Sequence, residues 1–184
     1  MTDVEFHRGR LLVASPSLVD PNFLRTVILV TEHSHEGAMG VVLNRPSPAQ
    51  VGDAVPELSP LVGDDSPVYV GGPVQKEALI VLADFRDREV AATIVVADVG
   101  FVSADADTEV LVEATRQARV FAGYAGWGPG QLEAEVEEDA WIVEAPVPGE
   151  LFADDAAGLW SAVLERKGGR FALLARMPLD PSLN

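Results

Sequence analysis

The chain contains no cysteine. That absence excludes disulfides, thiolate nucleophiles and Cys-based zinc or iron–sulfur sites together. Basic residues are scarce: 13 Lys and Arg stand against 29 Asp and Glu, a net charge of −16. A field of that sign repels phosphate backbones, so direct, sequence-independent nucleic-acid binding is not expected. The acids are spread through residues 84–89, 105–113 and 133–139 rather than gathered in one tail, which reads as solubility. Long apolar runs are missing too. No stretch approaches the roughly 18 residues a bilayer-spanning helix needs. The start, Met1 to Arg8, lacks a basic region followed by an apolar run, so no signal peptide is expected. The expectation is a soluble, cytoplasmic protein without membrane attachment.

What is present is an ordinary globular composition, 48% hydrophobic and 23% charged over 184 residues. That length suits one domain with a real core, and no linker-like stretch divides it. Residues 11–14 (LLVA) form a short apolar strand closed by Ser15-Pro16. Asp20-Pro21-Asn22-Phe23 reads as a turn or one helical turn capped by Asp20. Residues 26–31 (TVILVT) are β-branched and almost continuously apolar, a strand buried on both faces. Residues 38–43 follow through His35-Glu36-Gly37 as the second arm of an antiparallel hairpin. Residues 47–67 carry four prolines and read as a loop with one short helix near 51–55.

Further strands are expected at 68–70, 78–83, 90–97, 119–124 and 140–145, with a helix over 108–118. Gly128-Pro129-Gly130 opens a helix over 131–139, with Glu133 and Glu135 in its early turns. A last helix starts at Asp154 or Asp155 and stops at Lys167-Gly168-Gly169. Residues 171–175 then read as a closing strand. Strands outnumber helices and several are sequence neighbours, so the fold class is α+β with a largely antiparallel sheet.

Gly126-Trp127-Gly128-Pro129-Gly130 lies between a strand and a helix, where free N–H groups bind anions. The phosphate-loop pattern fails: Gln131 stands where a dinucleotide fingerprint needs glycine, and no Gly-Lys-Ser/Thr ending follows. The better reading is a tight turn packed beside Trp127, which fits either a core residue or an interface anchor. Glu32-His33-Ser34-His35-Glu36 is metal-like, since two imidazoles two apart share a strand face. No third ligand is identifiable, so an exposed hairpin end is expected, with no metal and no cofactor. There is no Gly-x-Ser-x-Gly elbow.

Arg25, Glu32, Asn44, Arg45 and Gln131 each border an apolar strand or a glycine turn, where a polar side chain needs a partner. Arginines there could hold a carboxylate or phosphate. The competing reading is an internal network tying loops to backbone carbonyls. With His33, Gly126 and Gly128, these five residues form the candidate ligand-binding set.

In the same blocks the chain resembles the YqgE/AlgH family of small bacterial proteins. The resemblance runs in order through Gly9 to Pro16, Asp20 to Thr26, Glu32-His33, Gly40 to Pro46 (GVVLNRP), Val70 to Val74 (VGGPV) and Gly123 to Glu133 (GYAGWGPGQLE). It implies one α+β domain with a bifurcated sheet folded into a pseudo-barrel and flanking helices. It implies no catalytic residues, and a description that stops at uncharacterised or at transcriptional regulator. No helix-turn-helix is legible here, so any regulatory effect is expected to be indirect. The leading expectation is a non-enzymatic binding or regulatory protein acting through a small ligand or a protein partner. The alternative is a small-molecule hydrolase with a cleft built from Arg25, Glu32, His33, Asn44 and Gln131.

Overall fold

The backbone is organised around one strand, Thr115–Trp127, whose length lets it pair with three different neighbours. The computed structural model describes residues 4–179. In chain order the strands are β1 Leu11–Ala14, β2 Val27–Ser34, β3 Gly37–Val42, β4 Pro46–Gln50, β5 Pro67–Val70, β6 Val74–Phe85, β7 Thr93–Val96, β8 Val99–Phe101, β9 Thr115–Trp127 and β10 Trp141–Glu144. The α-helices are α1 Val51–Ala54, α2 Ser59–Val62, α3 Thr108–Ala114, α4 Gln131–Glu137, α5 Leu159–Lys167 and α6 Arg170–Leu174. No helix among the described residues is long and apolar enough to cross a membrane.

The sheet runs β10-β1-β2-β3-β9-β6-β8-β7, and β5, carrying β4, branches from β9. β9 pairs antiparallel with β3 near its end and with β6 along most of its length, while β5 joins it in parallel. The sheet is therefore bifurcated and largely antiparallel. The two ends of the path, β10 and β7, do not pair, so the sheet is not closed into the expected pseudo-barrel.

Two apolar layers sandwich the β1–β3 region. Leu11, Val13, Val27, Leu29 and Val41 face α5 and α6, packing with Trp160, Val163 and Leu164. Leu12, Ile28, Val30 and Val42 face the other way, toward Trp127, Leu132 and Trp141. A strand buried on both faces needs the continuous apolar run seen in β2. The Trp160 indole N–H, buried in the first layer, donates to the Ala14 carbonyl at 2.8 Å.

Several expected elements change. Residues 171–175 are not a strand: α6 covers them, after Gly168 and Gly169 turn the chain with positive φ. Phe171 and Leu174, three apart, both meet the α5 layer, a helical spacing that a five-residue apolar run does not reveal. The loop expected over 47–67 contains the strand β4, whose prolines place it at a sheet edge where a missing N–H costs nothing. The strand expected over 90–97 is a 3₁₀ turn over Arg88–Val90 followed by β7, and β8 was not anticipated at its three-residue length. The helix expected to reach 118 stops at Ala114, and the chain passes straight into β9.

Candidate functional site

The eight candidate residues fall into two groups at opposite ends of β2. Arg25 precedes the strand and Glu32 lies near its far end. Seven extended residues at about 3.3 Å each put the two roughly 20 Å apart. The cleft expected from Arg25, Glu32, His33, Asn44 and Gln131 is not assembled.

At the near end, Asn44 and Arg45 hold the loop that enters β2. Asn44 Oδ1 accepts from the Val27 N–H at 2.9 Å, and its Nδ2 donates to the Arg25 carbonyl at 2.9 Å. Arg45 donates to the carbonyls of Asn22 and Leu24 at 2.8 and 3.0 Å. Burial draws the Arg45 pKa below its usual value, with Asp20 opposing. Arg25 itself adopts a left-handed backbone, φ 53°. Its guanidinium lies 4.5 Å above the Trp160 ring and donates to the Met177 carbonyl. The blocks Asp20 to Thr26 and Asn44-Arg45-Pro46 are thus two halves of one loop lock.

At the far end, β2 bulges between Val30 and Glu32 against β3. A single extra residue swaps the faces beyond it. Without the bulge His33 would share the face of Val27 and Leu29. With it, His33 turns to the α4 side and meets Glu133, Nε2 to Oε1 at 3.1 Å. His33 Nδ1 accepts from the His7 N–H at 2.9 Å. The ring proton therefore sits on Nε2, pointing at Glu133, and both nitrogens are engaged. His33 is buried, not part of an exposed hairpin end; Glu32, Ser34, His35 and Glu36 are exposed. No group of three or more potential metal ligands occurs among the described residues.

Beside this pair, the His7 ring lies 5.5 Å from that of His33, tilted by 33°, and burial draws its pKa down. His7 Nδ1 and Glu133 Oε2 are buried and find no hydrogen-bond partner among the described residues.

The glycine block is a structural clasp. Gly126 pairs with Met39 across β9 and β3. The Gly128 N–H, a free donor in a phosphate loop, donates to Gln131 Oε1 at 3.0 Å. Gln131 Nε2 passes a bond to Glu135, whose other oxygen accepts both the Trp127 and Trp141 indole N–H groups at 2.8 Å. Trp127 is 6% exposed and contacts Phe23 and Trp141, which makes it a core residue in this chain. Leaving either buried indole N–H unpaired would cost about 1–3 kcal/mol.

Two hollows open beside the far end and share Glu32 and Met39. One, of 480 Å³, is polar and includes Arg8, His33 and Glu36. Arg8 lines it and donates to the carbonyls of Thr31 and Ile94 at 3.0 and 2.7 Å. The other, of 520 Å³, lies between β6, α3 and the 3₁₀ turn Pro56–Leu58. Leu58, Leu79, Val81, Phe101 and Leu111 line it, with Glu32 and Glu57 among its polar groups. Its size falls within the usual range for small-molecule sites. Sequence reasoning missed this hollow because its walls come from four separated segments. It also missed His7 and the role of Glu135, although the Gln131–Glu135 spacing of one helical turn was a usable signal.

Known proteins are similar to this chain in sequence and in fold. The AlgH-like family model matches residues 11–172. A UPF0301 protein of Streptomyces coelicolor is 43% identical over 190 residues, covering 100% of this chain and 98% of that protein. A UPF0301 protein of Mycobacterium tuberculosis is 40% identical over 186 residues, covering 96% and 90%. The crystal structure of protein DIP2367 from Corynebacterium diphtheriae is similar with a TM-score of 0.86 and 30% identity, covering 95% of this chain and 94% of that one. The solution structure of the AlgH protein from Pseudomonas aeruginosa is similar with a TM-score of 0.71 and 28% identity, covering 97% and 98%. Motif order, full-length identity and fold agree, and the chain belongs to the AlgH-like, UPF0301 family.

Proposed function

We propose that this is a non-enzymatic, cytoplasmic binding protein whose ligand occupies the hollow between β6 and α3. The observation that carries this reading is the lining of that hollow: apolar side chains, two hydroxyls and two carboxylates, with no histidine or basic group. Burial of an apolar ligand supplies affinity from such a surface. The His33 imidazole, next to Glu32 in sequence, has both nitrogens committed, to the His7 backbone N–H and to Glu133. Any influence on transcription is indirect in this reading, because a net charge of −16 opposes contact with DNA.

The test is a methyl-resolved NMR titration with a library of small apolar fragments. Binders are expected to shift Met39, Leu79, Val81 and Leu111 together. Ala104→Trp places bulk on an exposed part of the lining and is expected to abolish those shifts while the rest of the spectrum holds. Fragments that shift other regions only, or none that bind, would overturn the proposal.

A further inference from the structure

We infer that the β6–α3 hollow selects a small amphipathic ammonium compound, an apolar chain ending in a protonated amine. This rests on the binding reading above and adds the charge class of the ligand. The apolar part follows from the walls, where Leu79, half exposed at 45%, leads inward to Val81, Phe101 and Leu111. Such walls reward an alkyl or aryl body by the area they remove from water.

The cationic part follows from the two acids. Glu32 reaches the hollow from β2 and Glu57 from the 3₁₀ turn, so they approach it from separate segments. Neither carboxylate has an ion-pair partner or a side-chain hydrogen bond among the described residues. A few acids elsewhere are paired, Asp84 with Arg116, Glu144 with Arg166 and Lys167, and Glu150 with Arg166. What sets Glu32 and Glu57 apart is that they line an apolar hollow whose walls hold no basic side chain. Arg8 lines the adjoining hollow rather than this one, and its guanidinium donates to the Thr31 and Ile94 carbonyls. The surrounding field has the same sign, since the chain carries −16. A carboxylate or phosphate entering this hollow would meet uncompensated negative charge, while an ammonium would be drawn in and paired.

The remaining polar groups fit the same ligand. Ser103 already donates to Asp105, and Thr108 opens α3 at the hollow's edge. The two hydroxyls and two carboxylates supply acceptors for an N–H donor.

The experiment compares three probes with the same chain: n-octylamine, n-octanol and n-octanoate, each titrated at pH 7 and low salt against the full-length protein. Binding is read from the methyl resonances of Met39, Leu79, Val81 and Leu111. The amine is expected to bind about fivefold more tightly than the alcohol, the size expected of two partly exposed ion pairs. The octanoate is expected to bind more weakly than both. In Glu32→Gln/Glu57→Gln the amine's advantage over the alcohol should vanish. In Glu109→Gln/Glu113→Gln, which removes equal charge from the exposed face of α3, it should persist. Equal binding of amine and alcohol, or an advantage that both double variants retain, would overturn the charge selection while leaving the hollow a binding site. Absence of binding by all three probes would overturn both readings.

Discussion

His7 couples the far end of β2 to pH. Its side chain is 7% exposed, and its pKa lies below the ordinary 6.5 because burial disfavours the cation. His33 pushes the same way and Glu5 pulls against it, with smaller contributions from Arg10 downward and Glu133 upward. The unfolded chain takes up the proton at the ordinary value, while the folded chain resists until lower pH. Below 6.5 the unfolded state therefore binds more protons. The stability His7 contributes is complete above 6.5 and is lost as pH falls toward the lowered folded value. Urea midpoints measured between pH 7.5 and 5.5 should decline with acidification, and the decline should shrink in His7→Gln. An equal decline in both proteins would remove His7 as its cause.

At the scale of elements, the junction of β5, β6 and β9 leaves no room for a side chain at Gly72. A Cβ on Gly72 would stand 2.1 Å from the Tyr124 carbonyl carbon, with only backbone atoms as its nearest neighbours. Nothing there is a flexible side chain that can yield. Gly72→Ala should cost more than about 3 kcal/mol, read as a lost or sharply lowered urea transition. Gly128→Ala offers the contrast. The nearest atom to its Cβ is Gln131 Oε1 at 3.9 Å, so that motif glycine should tolerate alanine within about 1 kcal/mol. Two glycines that look alike in sequence thus differ in what surrounds them. The same holds for short apolar runs: Leu11–Ala14 is a strand and Arg170–Leu174 a helix, though both are brief and apolar. Partners in the sheet decided the first, and packing onto α5 behind a glycine turn decided the second.

Over the whole molecule, the charge of −16 acts as a self-repulsion that the folded state concentrates. Ion pairs offset it only locally, at Arg116 with Asp84 and Asp98 and at Arg166 with Glu144 and Glu150. Raising sodium chloride from 10 mM to 150 mM shortens the screening length from about 30 Å to about 8 Å. The melting temperature should therefore rise over that interval. A fall would mean that the few ion pairs outweigh the general repulsion.

Local signals carried a large part of this protein. Continuous apolar, β-branched character marked β2 as buried on both faces, and the cysteine count removed whole classes of chemistry. Asp20 and Pro21 marked the turn before β2, and the basic last turn with Gly168 marked the end of α5. These features depend on neighbours within a few positions, so the sequence by itself determined them. The order of motifs likewise determined the family. The tertiary structure alone decided the sheet's branching at β9 and its open ends, since pairing partners lie far apart along the chain. It alone decided that one bulged residue turns His33 toward Glu133, that Asn44 and Arg45 bond to the Asn22–Thr26 loop rather than to Glu32, and that four distant segments enclose a hollow. Such outcomes follow from register and from which surfaces meet, and neither is written in any single stretch of residues.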